Sequence, residues 1–215
     1  MKRALKKTRS TRLWIPAFSS LAAASAIALA SAYIVWRHAG FIPRDHWVHS
    51  AEGGGRNIGE ACHIYDLFNF FTDSEATSCA AFSIDPKSDA YVRNDNFAAT
   101  VKYRDGSIGN LIYTALGTKD VPKERMDLYC DGTVVCLDDY RRLEVFGRKM
   151  KPLETRTVQK GHSEEMAEFG RCLREGSPPP IPFAQLLSAA EISEYRGTAV
   201  ARGERIETRP GTDSP

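Results

Sequence analysis

The chain has 215 residues, 42% hydrophobic and 26% charged, with a formal net charge of +2. That is the composition of a folded globular protein with a real core; it excludes a disordered chain, and the weak charge offers no electrostatic case for binding nucleic acid. The five cysteines (Cys62, Cys79, Cys130, Cys136, Cys172) are odd in number and hold no Cys-x-x-Cys pair, which argues against a zinc ribbon or a disulfide framework and for reduced thiols in the cytoplasm.

Residues 1–12 are basic, and Leu13 to Trp36 then runs 24 residues without a charge. That length can span a bilayer as a helix, and a basic flank before an apolar run also resembles a signal peptide with Ala28-Leu-Ala30 as a cleavage site. Eight alanines and Pro16 make the run only weakly hydrophobic. Two readings stay open: an N-terminal membrane or export segment, and an insertion ahead of a strand near Tyr33 to Arg37. The division expected is 1–36 as basic N-terminus plus apolar segment, 37–203 as one domain, and 204–215 as a polar tail. The domain is expected to fold without Leu13 to Trp36.

Gly40 to Ser50 reads as a loop that packs Trp47. His46 and His49 lie in it, but no third metal ligand is at hand, so no metal is expected. Gly53-Gly-Gly55 breaks the chain, and a helical run follows to Phe71. Most of the run is apolar, yet Glu60, His63 and Asp66 recur every three residues. On a helix such residues are neighbours, so an acid, an imidazole and a second acid form a polar stripe where proton chemistry could sit. A hydrogen-bonded structural histidine is the alternative. The glycine spacing is not Gly-x-Gly-x-x-Gly, and no buried strand precedes it, so no cofactor-binding residues are assigned.

Strand patterns follow. Phe97, Ala99, Val101 and Tyr103 alternate with more polar positions; Asp105-Gly and Asp131-Gly mark tight turns; Ala76–Ile84, Ile108–Leu116, Arg125–Cys130, Thr133–Leu137 and Arg142–Phe146 complete a meander of five or six antiparallel strands. The chain ends in two helices, one capped by Ser163 and one running from about Phe183 to Ala201. The fold class expected is α+β: an open, mainly antiparallel sheet with helices packed on one face.

The run Gly53-Gly-Gly-Arg-Asn-Ile-Gly-Glu-Ala-Cys-His63-Ile-Tyr-Asp66 resembles the signature helix of the Gfo/Idh/MocA oxidoreductases, whose common form is Gly-Gly-x-x-x-Asp-x-Gly-x-His-x-x-Asp. Gly59 stands for the first Asp and Ala61 for the following Gly. The variant is similar to a subgroup often fused behind a zinc-type alcohol dehydrogenase module. Ala39-Gly-Phe-Ile-Pro-Arg-Asp-His-Trp47, Tyr113-Thr-Ala-Leu-Gly117, Pro122-Lys-Glu-Arg125, Leu137-Asp-Asp-Tyr-Arg141, Lys160-Gly-His162 and Pro180-Ile-Pro-Phe183 extend the match from about Tyr33 to Gly203. The resemblance implies a nicotinamide-dependent enzyme acting on a sugar or nucleotide-sugar hydroxyl. His63 takes the proton-transfer position, with Glu60 and Asp66 tuning it. Arg56, Gly55 and Trp47 fall where substrate would be held, Arg56 against an anionic group such as a uronate. The family's nucleotide-binding Rossmann half and its Glu-Lys-Pro lysine have no counterpart in the 215 residues. The implied part is therefore the substrate and dimerisation half, truncated and inactive alone, using NAD or NADP only with a separate Rossmann domain, and forming a homo-oligomer through the sheet face. A non-catalytic assembly module and a membrane-anchored domain of other role are the competing readings.

Overall fold

The computed structural model describes residues 31–207, apart from positions 41, 51, 90, 119 and 203–205. The basic segment and most of the uncharged run, like the end of the polar tail, lie outside the described residues. One sheet of nine strands organises the chain, in the order β8-β7-β6-β5-β1-β4-β3-β2-β9. The strands are β1 (Tyr33–Ala39), β2 (Ala76–Ser83), β3 (Phe97–Tyr103), β4 (Ile108–Thr114), β5 (Glu124–Cys130), β6 (Thr133–Asp138), β7 (Arg142–Phe146), β8 (Leu153–Glu154) and β9 (Ile206–Glu207). Only β1 and β4 run parallel; every other pairing is antiparallel. The open, mainly antiparallel α+β architecture is the one expected, with more strands than the five or six anticipated. Beyond the meander lie β1, the strand expected near Tyr33 to Arg37, and β8 and β9, two residues each and too short to show a period.

Strand β1 is present where a strand was expected, and it draws the end of the uncharged run into the sheet. Its last residues are the middle of the sheet: Ile34 and Trp36 are fully buried, and Trp36 sits in register between Leu111 of β4 and Met126 of β5. Alternation explains the placement, since Ile34, Trp36 and His38 all point to one face.

That inner face carries the helices. Helix α1 (Cys62–Thr72) inserts Ile64, Tyr65 and Phe68, and α3 (Phe183–Arg202) inserts Ile192 and Ala199. Gly109 of β4 is required for this contact: a Cβ there would lie 2.5 Å from the Phe68 ring. Helix α2 (His162–Glu175) begins at Gly161, which holds a positive φ of 81°, and not at Ser163. The Gly161 carbonyl already accepts the Glu165 N–H, so the turn closes two residues earlier than the hydroxyl suggested. Of α2 only Cys172 is buried; Met166, Phe169 and Leu173 are exposed. The outer face of the sheet presents Tyr33, Phe82, Ile112, Tyr129 and Phe146 to solvent. All five cysteines are free, and among the described residues no helix is long and apolar enough to cross a membrane.

Candidate functional site

The glycine-rich turn is pressed against the loop before it. A Cβ on Gly53 would stand 2.5 Å from the Trp47 carbonyl oxygen and 2.6 Å from that of Val48, and Gly54 and Gly55 take positive φ values of 66° and 78°. Only glycine fits such a turn. The Gly53 and Gly54 N–H groups are used inside the turn, donating to the Ser50 hydroxyl and the Ser50 carbonyl at 3.2 Å each. Gly55 faces open space, and Trp47, on a short 3-10 turn, is 67% exposed. Its ring lies beside that of His46, 5.9 Å between centroids.

The chain then enters one wide π-helical turn, Asn57–Ala61, before α1 settles into α-helix at Cys62. A π turn adds a residue to the repeat and is frequent at functional sites. Here it splits the predicted polar stripe. His63 and Asp66 lie along an open groove of about 570 Å³ between α1 and α3, which Cys62, Glu165, Leu186 and Ser193 also line. Burial pushes the Asp66 carboxyl above its usual range, against the opposing pull of His63. Glu60 turns the other way, to the end of the sheet.

There Glu60 joins a polar row that runs across the strands. Glu124, His38, Tyr113 and Phe97 are cross-strand neighbours on β5, β1, β4 and β3. The His38 ring stacks on Tyr113 at 4.4 Å, and Tyr113 on Phe97 at 5.2 Å. The Tyr113 hydroxyl donates to Glu60 Oε2, which also accepts from Arg56 Nη2 at 3.1 Å. Lys160 Nζ donates to Glu124 Oε1 at 2.5 Å. Burial opposes ionisation of Glu60, but the Tyr113 hydrogen bond and the Arg56 charge outweigh it and hold the carboxyl at about 2. Burial, followed by the charge of Lys123, holds His38 down at about 3.

Arg56, expected from the resemblance to meet a substrate anion, is enclosed. It is only 1% exposed, its Nη1 donates to the Gly40 carbonyl at 2.9 Å, and its guanidinium lies 4.8 Å from the Tyr113 ring centre. Those contacts keep the guanidinium inside the fold, tying Glu60 to the loop at Gly40. Sequence reasoning missed His38, Tyr113, Glu124 and Lys160 as a cluster. The one available signal was period two: Ile34, Trp36 and His38 share a face, so a histidine there had to be buried.

The row makes stability pH-dependent. His38 has a folded pKa below its ordinary 6.5, so the unfolded chain binds the extra proton, and stability is lost as pH falls from 6.5 towards 3. Glu60 acts in the same sense below 4.5, being depressed towards 2. Between pH 7 and pH 5 the His38 contribution is on the order of 2 kcal/mol. Urea unfolding at the two pH values should show this loss, and a His38→Gln variant should show much less of it. Equal pH dependence in both proteins would remove His38 as the cause.

No protein-family profile and no curated protein matches the sequence. Solved structures do. Aldose-aldose oxidoreductase from Caulobacter crescentus superposes with a TM-score of 0.71 at 16% identity, covering 89% of this chain and 59% of that one. Myo-inositol dehydrogenase from Corynebacterium glutamicum gives 0.68 at 16%, over 93% and 63% of the two chains. The chain shares their fold. The WlbA dehydrogenase from Bordetella pertussis, solved with NADH and UDP-GlcNAcA, gives 0.67 at 13%, over 95% and 61%. All three are oxidoreductases or dehydrogenases by name. The chain spans about three fifths of their length, 59%, 63% and 61% in turn.

Proposed function

We propose that this chain is the substrate-binding and dimerisation half of a nicotinamide-dependent oxidoreductase acting on a sugar or nucleotide-sugar hydroxyl. The observation that carries the reading is His63 with Asp66 on the wall of an open groove, in a chain with the fold of sugar and nucleotide-sugar oxidoreductases. An imidazole reachable from solvent can take the hydroxyl proton, and a neighbouring carboxylate can orient it and stabilise the imidazolium that forms. Trp47 offers an aromatic face for a sugar. The nicotinamide, held by a separate nucleotide-binding unit, supplies the hydride chemistry. This chain holds the substrate and removes the proton.

The exposed apolar residues of the outer sheet face suit a second copy of the chain, since contiguous apolar patches on a soluble surface mark interaction sites. The same face favours the second reading, an assembly module without catalysis. Supplying a nucleotide-binding half, by fusion ahead of Tyr33 or in trans, separates the two. Formation of NAD(P)H from a sugar panel supports the enzyme. A folded, dimeric fusion that binds NADH yet turns over none of the sugars supports the assembly module.

A further inference from the structure

Helix α2 is amphipathic, yet its apolar side is uncovered. Met166, Phe169 and Leu173 recur at helical spacing, and Met166 and Leu173 are 67% and 68% exposed. Cys172 is the one residue of the helix that the rest of the fold buries. The start of α3 adds Phe183, Leu186 and Leu187, all exposed. Glu165 of α2 and Leu186 of α3 line the same groove, so the two apolar stretches border one surface. That surface is also acidic. Glu164, Glu165, Glu168 and Glu175 lie on α2, and Glu191 and Glu194 on the first half of α3, against Arg171 and Arg174. Arg171 is shared by Glu168 and Glu175, and Lys160, just ahead of α2, is held by Glu124. Of the other charges near, Asp66 and His63 face the groove, Arg196 is buried, and Arg202 is the last residue of α3. An exposed apolar patch of this kind marks a contact surface, and its charge asks for a basic partner.

The chain carries a segment of matching chemistry. Lys2, Arg3, Lys6, Lys7, Arg9 and Arg12 come immediately before Leu13, Trp14, Ile15, Phe18 and Leu21. The run leads into the described structure at Ser31, whose hydroxyl donates to the Asp105 carbonyl at 3.0 Å. The Asp105 N–H in turn donates to Ser74 Oγ at 3.1 Å, two residues past the end of α1. Asn69, in the last turn of α1, donates to Ser188 Oγ near the start of α3 at 3.2 Å. The run therefore enters at the end of the helical layer where Phe183 and Leu187 are exposed. Even at the rise of an α-helix, the eighteen residues 13–30 cover about 27 Å, against about 16 Å for the eleven of α1. Residues 208–215 hold no large apolar side chain and suit the face less. We propose that residues 1–30 are an intramolecular arm: Leu13 to Leu21 cover the apolar side of α2 and the start of α3, and the basic residues ahead of Leu13 pair with the carboxylates of those helices. Being attached, the arm meets this face at high effective concentration, ahead of a free partner of similar affinity. Because Glu165 and Leu186 also line the groove of His63, the seated arm borders that groove.

The test uses the full chain with Trp47→Phe, which leaves Trp14 and the buried Trp36 as its indoles; adding Trp14→Phe assigns the Trp14 signal by its loss. At pH 7 and low salt, Trp14 emission should be blue-shifted and shielded from acrylamide. Leu173→Lys with Phe183→Lys should move that emission to the red and raise its quenching several-fold. Both positions are exposed, so the substitutions leave the described fold standing. Glu164→Lys with Glu191→Lys should loosen the arm at low salt, an effect that fades as salt screens the charges. A photoreactive benzophenone residue in place of Trp14 should crosslink, within one molecule, to peptides spanning residues 162–175 or 183–194. The proposal is overturned if Trp14 is as open to acrylamide in the parent as in the urea-unfolded chain, if the Leu173 and Phe183 changes leave it shielded, or if the crosslinks fall elsewhere. Shielding that disappears on dilution would assign the face to a second copy, and shielding that appears only with phosphatidylglycerol vesicles would assign the run to a membrane; either result overturns the arm. No turnover enters these measurements, so their outcome leaves the oxidoreductase reading untouched.

Discussion

A His63→Asn variant, joined to a nucleotide-binding half, should transfer hydride roughly a hundred- to ten-thousand-fold more slowly than the parent, the usual worth of a general acid/base. His63 lines the groove with Asp66, so the amide keeps size and polarity but cannot take the proton. Asp66→Asn should cost less, because in the proposed reading the carboxylate acts on the imidazole only through its charge. The exposed position of His63 makes the comparison clean: it is no part of the buried core, so the variant should unfold at the parent's temperature. Single-turnover reduction of NAD(P) reads the chemical step directly. Equal rates for a folded variant would leave His63 without a part in catalysis.

The second large effect is expected at Trp36. Replacing this fully buried side chain by alanine should lower stability by about 3 to 5 kcal/mol, the cost of an aromatic cavity in a core. Its ring packs against Tyr140 at 6.0 Å between centroids and bridges β4 to β5. A chain starting at Tyr33 should keep cooperative unfolding, whereas one starting at Gly40 loses β1 and with it the link between two halves of the sheet. Urea denaturation measures all three. A cooperative transition in the shorter chain would show that β4 and β5 can close on each other without β1.

The elements that could be read in advance are those whose pattern repeats over several residues. Phe97 to Tyr103 alternates in burial as its hydropathy does, and the Asp-Gly turns fall between strands where type and spacing put them. Strand β1 was harder, because an uncharged run contains a strand, a membrane span and a leader equally well until its neighbours are known. The stripe of Glu60, His63 and Asp66 assumed a regular α-helix through all three. One π turn at Asn57–Ala61 turns Glu60 to the sheet and leaves the other two in the groove. Arg56 shows the other limit: its type suggests an anion in solvent, and only the tertiary contacts with Gly40, Glu60 and Tyr113 reveal that it is enclosed. His38 gains its meaning from Glu124 and Tyr113, far along the chain.

The place of β1 also bears on how the molecule comes into being. Its partners start about seventy-five and ninety residues downstream, at Ile108 and Glu124. On a ribosome this strand therefore emerges long before anything it can pair with, while the hairpins of β3–β4 and β5–β6 close within a few residues of synthesis. Sheet assembly must wait for both hairpins and then admit an early, apolar strand between them, one edge parallel and one antiparallel. Non-local closure of that kind is slow, and it leaves Ile34 and Trp36 uncovered during translation, so the nascent chain is most exposed to chaperone capture and misassembly before β5 appears.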